Sequence, residues 1–231
     1  MSEPKKPKSG GGCFSKLLFL ILLAAMGGLG TAVYFVTQAQ DLSDLGGYGP
    51  ANKATQVRDM KAVLQSAIDR NYAVTLSEAE INQWLASTLV MKQGGLLAEQ
   101  VKLERFWVRL EEGRAELIME RSVFGKPFTI SMYFRVEKEQ SGTKIMTTFN
   151  PAGGPFHKDY EFPQKGGRLG QLVVPQGFLH LVMPSYKKVA ELFTAETELA
   201  FDRMQRVTFK NDAIVLDPRE PLGEQGMPQI F

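Results

Sequence analysis

"PFTISMYFRVEK", residues 127–138, alternates apolar and polar positions at period two. Phe128, Ile130, Met132, Phe134 and Val136 fall on one side, and Thr129, Ser131, Tyr133, Arg135 and Glu137 on the other. A pleated strand sends successive side chains to opposite faces, so the stretch predicts a strand with one buried and one wet face. Its neighbours repeat the pattern. "VKLERFWVRL" (101–110) reads as a strand with an irregularity near Glu104 and Arg105, where the alternation changes phase. "RAELIMERSV" (114–123) sets Leu117 and Met119 opposite Glu116, Ile118 and Glu120, and "TKIMTTF" (143–149) closes the group. The turns "EEG", "FGKP" and "EQSG" are short. Four strands so joined predict an antiparallel meander with one solvated face.

Helical periods flank this block. Val57, Met60, Val63, Leu64, Ala67 and Ile68 recur at helical spacing over 55–71, with Thr55 as the expected N-cap. "NYAVTLS" is a short extended stretch. Ser77 followed by Glu80 is a capping box that opens a helix burying Ile81, Trp84, Leu85 and Leu89. The Gly/Pro-rich stretch 150–170 reads as a long loop, and 173–204 as helix with breaks at Pro175 and Pro184. "RVTFKNDAIVLDP" predicts a last hairpin turning at Asn211-Asp212. The fold class is therefore α+β: an N-terminal transmembrane helix, then one domain with a four-stranded antiparallel meander packed on helices and a C-terminal hairpin.

The membrane helix rests on "LLFLILLAAMGGLGTAVYFV", residues 17–36, which carry no charge. Twenty residues at helical rise span roughly 30 Å, the hydrocarbon thickness of a bilayer. Eleven of them are Leu, Ile, Phe or Val, together worth roughly −3 to −7 kcal/mol of insertion free energy. Leu17, Phe19, Ile21, Leu23, Leu29 and Val33 are anchoring residues, with Tyr34 and Phe35 at the outer boundary. The alternative is a cleaved signal, but its apolar region is usually shorter and Thr37-Gln38-Ala39 is a poor cleavage site. Lys5, Lys6, Lys8 and Lys16 precede the run and Asp41 and Asp44 follow it. That bias places the amino terminus in the cytoplasm and the domain outside the inner (plasma) membrane. Ala24, Gly28 and Ala32, and again Gly27 and Thr31, sit at four-residue spacing, which permits a weak helix–helix homodimer. The bland and preferred reading is that small residues are common in such helices. Residues 1–16 form a basic tail, 17–36 the anchor, 37–54 a tether, 55–218 the domain and 219–231 a flexible tail.

Charge and chemistry narrow the function. The net charge is +2, yet residues 1–16 alone carry +3, so the remainder sums to −1. A near-neutral domain lacks the basic footprint of a nucleic-acid binder. Cys13 is the single cysteine, so no intramolecular disulfide forms. A disulfide-free extracytoplasmic domain without an Asn-x-Ser/Thr sequon reads as bacterial. The two histidines are His157, in the polar loop, and His180, expected to pack or cap within "FLHLVM". They form no paired metal-ligand motif, and neither a nucleophile elbow nor a phosphate loop is present. Glu116 and Glu120 are expected to be solvated. No cofactor and no enzymatic activity are expected.

What remains is surface and groove. A curved sheet packed on helices can leave an apolar channel, here with Phe128, Ile130, Met132 and Phe134 facing Phe178, Leu181 and Val182. The competing reading is that these side chains fill a solid core. One resemblance bears on the choice. Val74, Thr75, Leu76, Ser77, Glu78, Glu80, Ile81 and Asn82, behind a basic tail and one anchor, resemble the start of the YpmS-like anchored bacterial envelope proteins. That resemblance implies topology, and a kinship with lipid-binding folds, but no functional residue. The expectation is a membrane-anchored, non-enzymatic binding module whose partners are the lipid bilayer and a lipid-like ligand. A protein-interaction or scaffold domain of the cell envelope is the alternative.

Overall fold

The computed structural model describes residues 12–48, 57–89, 101–123, 125–141, 144–151 and 165–220. The apolar run forms one helix, α1 (Gly12–Thr37). Its stretch Phe14–Thr37 is long and apolar enough to cross a membrane and buries none of its most apolar window inside the protein. Helix α2 (Met60–Asp69) begins later than its apolar spacing suggests. Thr55 lies outside the described residues. The cap is Asp59, whose carboxylate accepts the Ala62 N–H at 3.2 Å and matches the positive end of the helix dipole. Strand β1 (Val74–Ser77) leads directly into α3 (Glu78–Leu89).

The larger antiparallel sheet has six strands: β2 (Val101–Glu111), β3 (Arg114–Val123), β4 (Lys126–Ser141), β5 (Lys144–Pro151), β6 (Lys165–Leu169) and β7 (Leu172–Pro175). Strand β2 shifts register between Leu103 and Arg105, at the change of phase in its sequence. The long β4 pairs with β3 along Lys126–Phe134. Its other edge meets β6 at Ile130–Met132 and then β5 from Phe134 onward. The expected four strands are thus two short. Strand β6 has glycines where alternation would show: a Cβ on Gly167 would overlap the Ser131 carbonyl oxygen, so only glycine lets β6 lie against β4 here. Strand β7 pairs with β6, and its residues 173–175 were expected to be helical. A smaller sheet, ordered β1-β9-β8, joins the C-terminal hairpin of β8 (Arg206–Lys210) and β9 (Ala213–Asp217) to β1. Between the two sheets the chain runs through a 3₁₀ turn (Gln176–Leu181), α4 (Met183–Leu192), the short α5 (Thr194–Thr197) and a π-helical turn (Glu198–Asp202). Pro184 sits in the first turn of α4, where it costs no hydrogen bond.

The expected wet face of the large sheet is not wet. Glu116, Ile118, Thr129, Ser131 and Tyr133 are all buried. What covers them is the segment read as a free tether. Residues 38–48 cross the sheet as a strap, with Gln40, Leu42 and Leu45 buried. Leu42 and Leu45 pack with Trp107 and Ile118, and Tyr48 meets the Trp107 ring edge-on at 5.2 Å. The Gln40 N–H donates to Thr129 Oγ1 (2.9 Å), and Gln40 Nε2 to Ser131 Oγ (3.2 Å). The strap starts where α1 ends: the Gln171 N–H donates to the Phe35 carbonyl at 2.9 Å. Gly170, in the β6–β7 turn at φ +57°, leaves room for those terminal carbonyls, which any Cβ would overlap. The correction is physical. Leu42 and Leu45 in "DLSDLGGY" are buried, worth about 1.5–3 kcal/mol each, and Tyr48 packs half-buried beside them, so a polar, glycine-containing segment can still dock.

Under the strap lies a buried ion network. Glu116 is fully buried; it accepts from Ser131 Oγ (2.5 Å) and from Arg109 Nη1 (2.9 Å), while Arg109 Nη2 reaches Asp44 of the strap at 2.9 Å. Glu116→Ala leaves the Arg109 guanidinium without its buried partner and should cost about 3–5 kcal/mol. Leu45→Ala should cost about 2–5 kcal/mol through the cavity it opens beside Trp107. Urea unfolding of the full chain reads both, and a loss below about 1 kcal/mol for both would show the strap to be undocked.

Candidate functional site

On the opposite face, the large sheet fails to close on the layer it faces. A half-enclosed cavity of about 460 Å³ separates them. The sheet contributes Phe106, Val108, Leu110, Leu117, Met132, Phe134 and Phe149. Leu76, Phe209, Ile214 and Leu216 come from the small sheet, and Met60, Leu64, Ile81, Trp84 and Leu85 from α2 and α3. Helix α4 and the turns after it form the remaining wall with Met183, Tyr186, Val189, Ala190, Phe193, Ala200 and Phe201. Its polar lining residues besides Tyr186 are Lys187, Glu196 and Thr197, of which Lys187 is exposed.

Each wall is fixed by its own chemistry. Tyr186 is buried with its hydroxyl 3.0 Å from the carbonyl oxygens of Leu117 and Ile130, on adjacent strands. Burial pushes its pKa well above the usual tyrosine value, so the hydroxyl stays a neutral donor fixing α4 to the sheet. At the other end of that wall, Lys138 Nζ donates to the Phe201 carbonyl and, at 2.8 Å, to Thr147 Oγ1. Burial lowers the Lys138 pKa. The carbonyl it holds belongs to the π turn, whose i+5 bond runs from the Arg203 N–H to the Glu198 carbonyl; such turns free backbone groups for other uses. Phe201 also meets Phe149 edge-on at 5.2 Å, closing one side of the cavity.

Of the groove residues expected from sequence, Met132 and Phe134 line the cavity. Ile130 is buried in the core beside it, and Phe128 and Val182 are half-buried against that core. Phe178 and Leu181 point away and are 53% and 77% exposed. In a 3₁₀ turn residues three apart share a face. Leu179 and Val182 therefore take the inner side and leave Phe178 and Leu181 outside. His180 is likewise exposed, not packed, and His157 lies outside the described residues. Glu116, expected to be solvated, is buried, while Glu120 is half-buried and accepts from Trp107 Nε1 at 3.2 Å. Among the described residues no group of three or more His, Cys, Asp or Glu could hold a metal ion. In α1, Thr31 Oγ1 bonds the Gly27 carbonyl of its own helix, and Gly27 and Gly28 have nothing packed on them.

Helix α3 positions both the cavity wall and the strap. Its capping box is complete: Ser77 Oγ accepts the Glu80 N–H (3.2 Å), and Glu80 Oε2 accepts the Ser77 N–H (2.9 Å). Sequence reading gave Glu78 and Asn82 no role. Both are buried and tie three segments together. Glu78 accepts from the Gly46 and Leu110 amides at 2.7 Å each, and burial raises its pKa. Asn82 bonds the Val108 amide and carbonyl and the Gly46 carbonyl. A polar residue one step off an apolar stripe was the available signal.

The Ser77 amide bond, with Arg58 beside it, holds the Glu80 pKa below the usual glutamate value. A depressed folded-state value stabilises above the unfolded pKa and is lost as pH falls through the folded one. Ser77→Ala should cost about 0.5–2 kcal/mol. Glu80→Gln should be less stable than the native chain at neutral pH, with the difference closing on acidification. Thermal unfolding across the carboxylate range checks both, and a gap independent of pH would contradict the assignment.

No family model matches the chain, and no curated protein matches it.

Proposed function

We propose that this chain is a single-pass plasma-membrane protein with a cytoplasmic amino terminus, whose extracytoplasmic domain binds a lipid-like ligand without transforming it. The cavity of about 460 Å³ carries this reading. It falls within the 300–1,000 Å³ range of small-molecule sites, which are concave and mostly apolar. A well-packed core leaves few voids larger than a water molecule, so the space is an expense that a bound ligand would offset. The apolar helix α1 and the strap bonded to its end support a position at the bilayer surface, beside a supply of such ligands. The likeness of Val74–Asn82 to YpmS-like envelope proteins accords with it.

A second reading, an envelope scaffold, draws on the exposed ridge of Phe178 and Leu181, since exposed apolar side chains gathered on one face mark interaction surfaces. Native mass spectrometry of the full chain, released from membranes in polymer-bounded lipid discs, separates the two. The lipid-binding reading predicts one tightly held apolar molecule that survives delipidation, and its loss in Ala200→Trp, which places an indole in the cavity from its half-buried wall. An adduct-free native chain that also fails to take up N-phenyl-1-naphthylamine would overturn it.

A further inference from the structure

We infer that the cavity takes one hydrocarbon chain of a single-chain amphiphile, with the polar end left at the rim, in preference to two-chain membrane lipids. The inference rests on reading the cavity as a ligand site and adds the class of ligand. Shape comes first. The cavity of about 460 Å³ is half-enclosed, so a chain can enter it and leave its polar end at the mouth. A phospholipid brings two chains, and the one left outside the mouth stays exposed at about 0.8 kcal/mol per methylene. A fused-ring sterol brings a rigid frame that cannot bend to the walls.

Wall chemistry comes second. The deep polar group in the lining, the Tyr186 hydroxyl, is already engaged with two strand carbonyls. The buried side-chain atoms without a hydrogen-bond partner among the described residues belong to Gln40, Arg121, Arg168 and Gln205, none of which lines the cavity. A ligand bearing hydroxyls, amides or charge along its buried length would lose its hydration with nothing to replace it. The ligand's inner part is therefore unsubstituted hydrocarbon. Lys187, Glu196 and Thr197 are the polar side chains available to its head, and Lys187 is exposed. Met132 and Met183, both in the lining, adapt their shape to chains of differing length or branching.

The consequence is selectivity against the most abundant lipid nearby. The full chain, reconstituted in lipid nanodiscs, is photolabelled with hexadecanoic acid carrying a mid-chain diazirine, and separately with dihexadecanoyl phosphatidylglycerol carrying the same group on one chain. Peptide mapping should place the fatty-acid label on Met132–Phe134 and on 189–201, and the phospholipid label on α1 alone. Ala200→Trp should cut the cavity label about tenfold, equivalent to about 1.4 kcal/mol, while α1 labelling by the phospholipid shows that the variant is still inserted. Equal cavity labelling by both probes would overturn the single-chain assignment and leave lipid binding standing. Cavity labelling by neither probe would overturn both.

Discussion

A carboxylate with no access to water must be answered on every side, and Glu116 is such a carboxylate. Removing an ion from water costs several kcal/mol even after the protein relaxes around it. Arg109 and the Ser131 hydroxyl compensate the charge, and each then reaches upward: Arg109 to Asp44, Ser131 to Gln40. The strap is thus fastened to the sheet by the same groups that make Glu116 tolerable there. Leu42, Leu45 and Tyr48 add the apolar cover that keeps water out. The sheet consequently has two dry faces, one closed by the strap and one lining the cavity.

This division of labour explains why a domain of this size tolerates an open cavity. On the strap side, Leu42 and Leu45 pack with Trp107 and Ile118 over the Glu116 network, so that face of the sheet is closed independently of the helices opposite. On the cavity side, Tyr186 and Lys138 hold the two ends of the helical wall through backbone carbonyls, and the middle is left unfilled. The strap also leaves no free run between α1 and the domain, since the Phe35 carbonyl and the Gln40 amide are each bonded to it. If α1 spans the bilayer as proposed, the docked strap keeps the domain close to the membrane surface.

Strands β2 to β4 and the hairpin β8–β9 were legible because period-two alternation and turn residues report local backbone preference. The irregularity near Glu104 and Arg105 was legible for the same reason. Strands β6 and β7 were not: Gly166 and Gly167 carry no side-chain pattern, and Gly167 is required by a neighbour distant in sequence. The strap escaped because "DLSDLGGY" has tether composition, and only the sheet's polar face shows that those leucines have a partner. Glu116 misled for the mirror reason, since a glutamate on an alternating strand usually marks the wet side. Met132 and Phe134 were found by alternation, whereas Phe178 and Leu181 were misplaced because a 3₁₀ turn redirects a short apolar run.

Residue-level hydrogen exchange on the full chain in lipid nanodiscs tests the docked strap most directly. The Gln40 and Gly46 amides donate to Thr129 Oγ1 and Glu78 Oε1, so both should be protected as strongly as the paired amides of β3 and β4. Exchange of both at the rate of unstructured backbone would contradict the account.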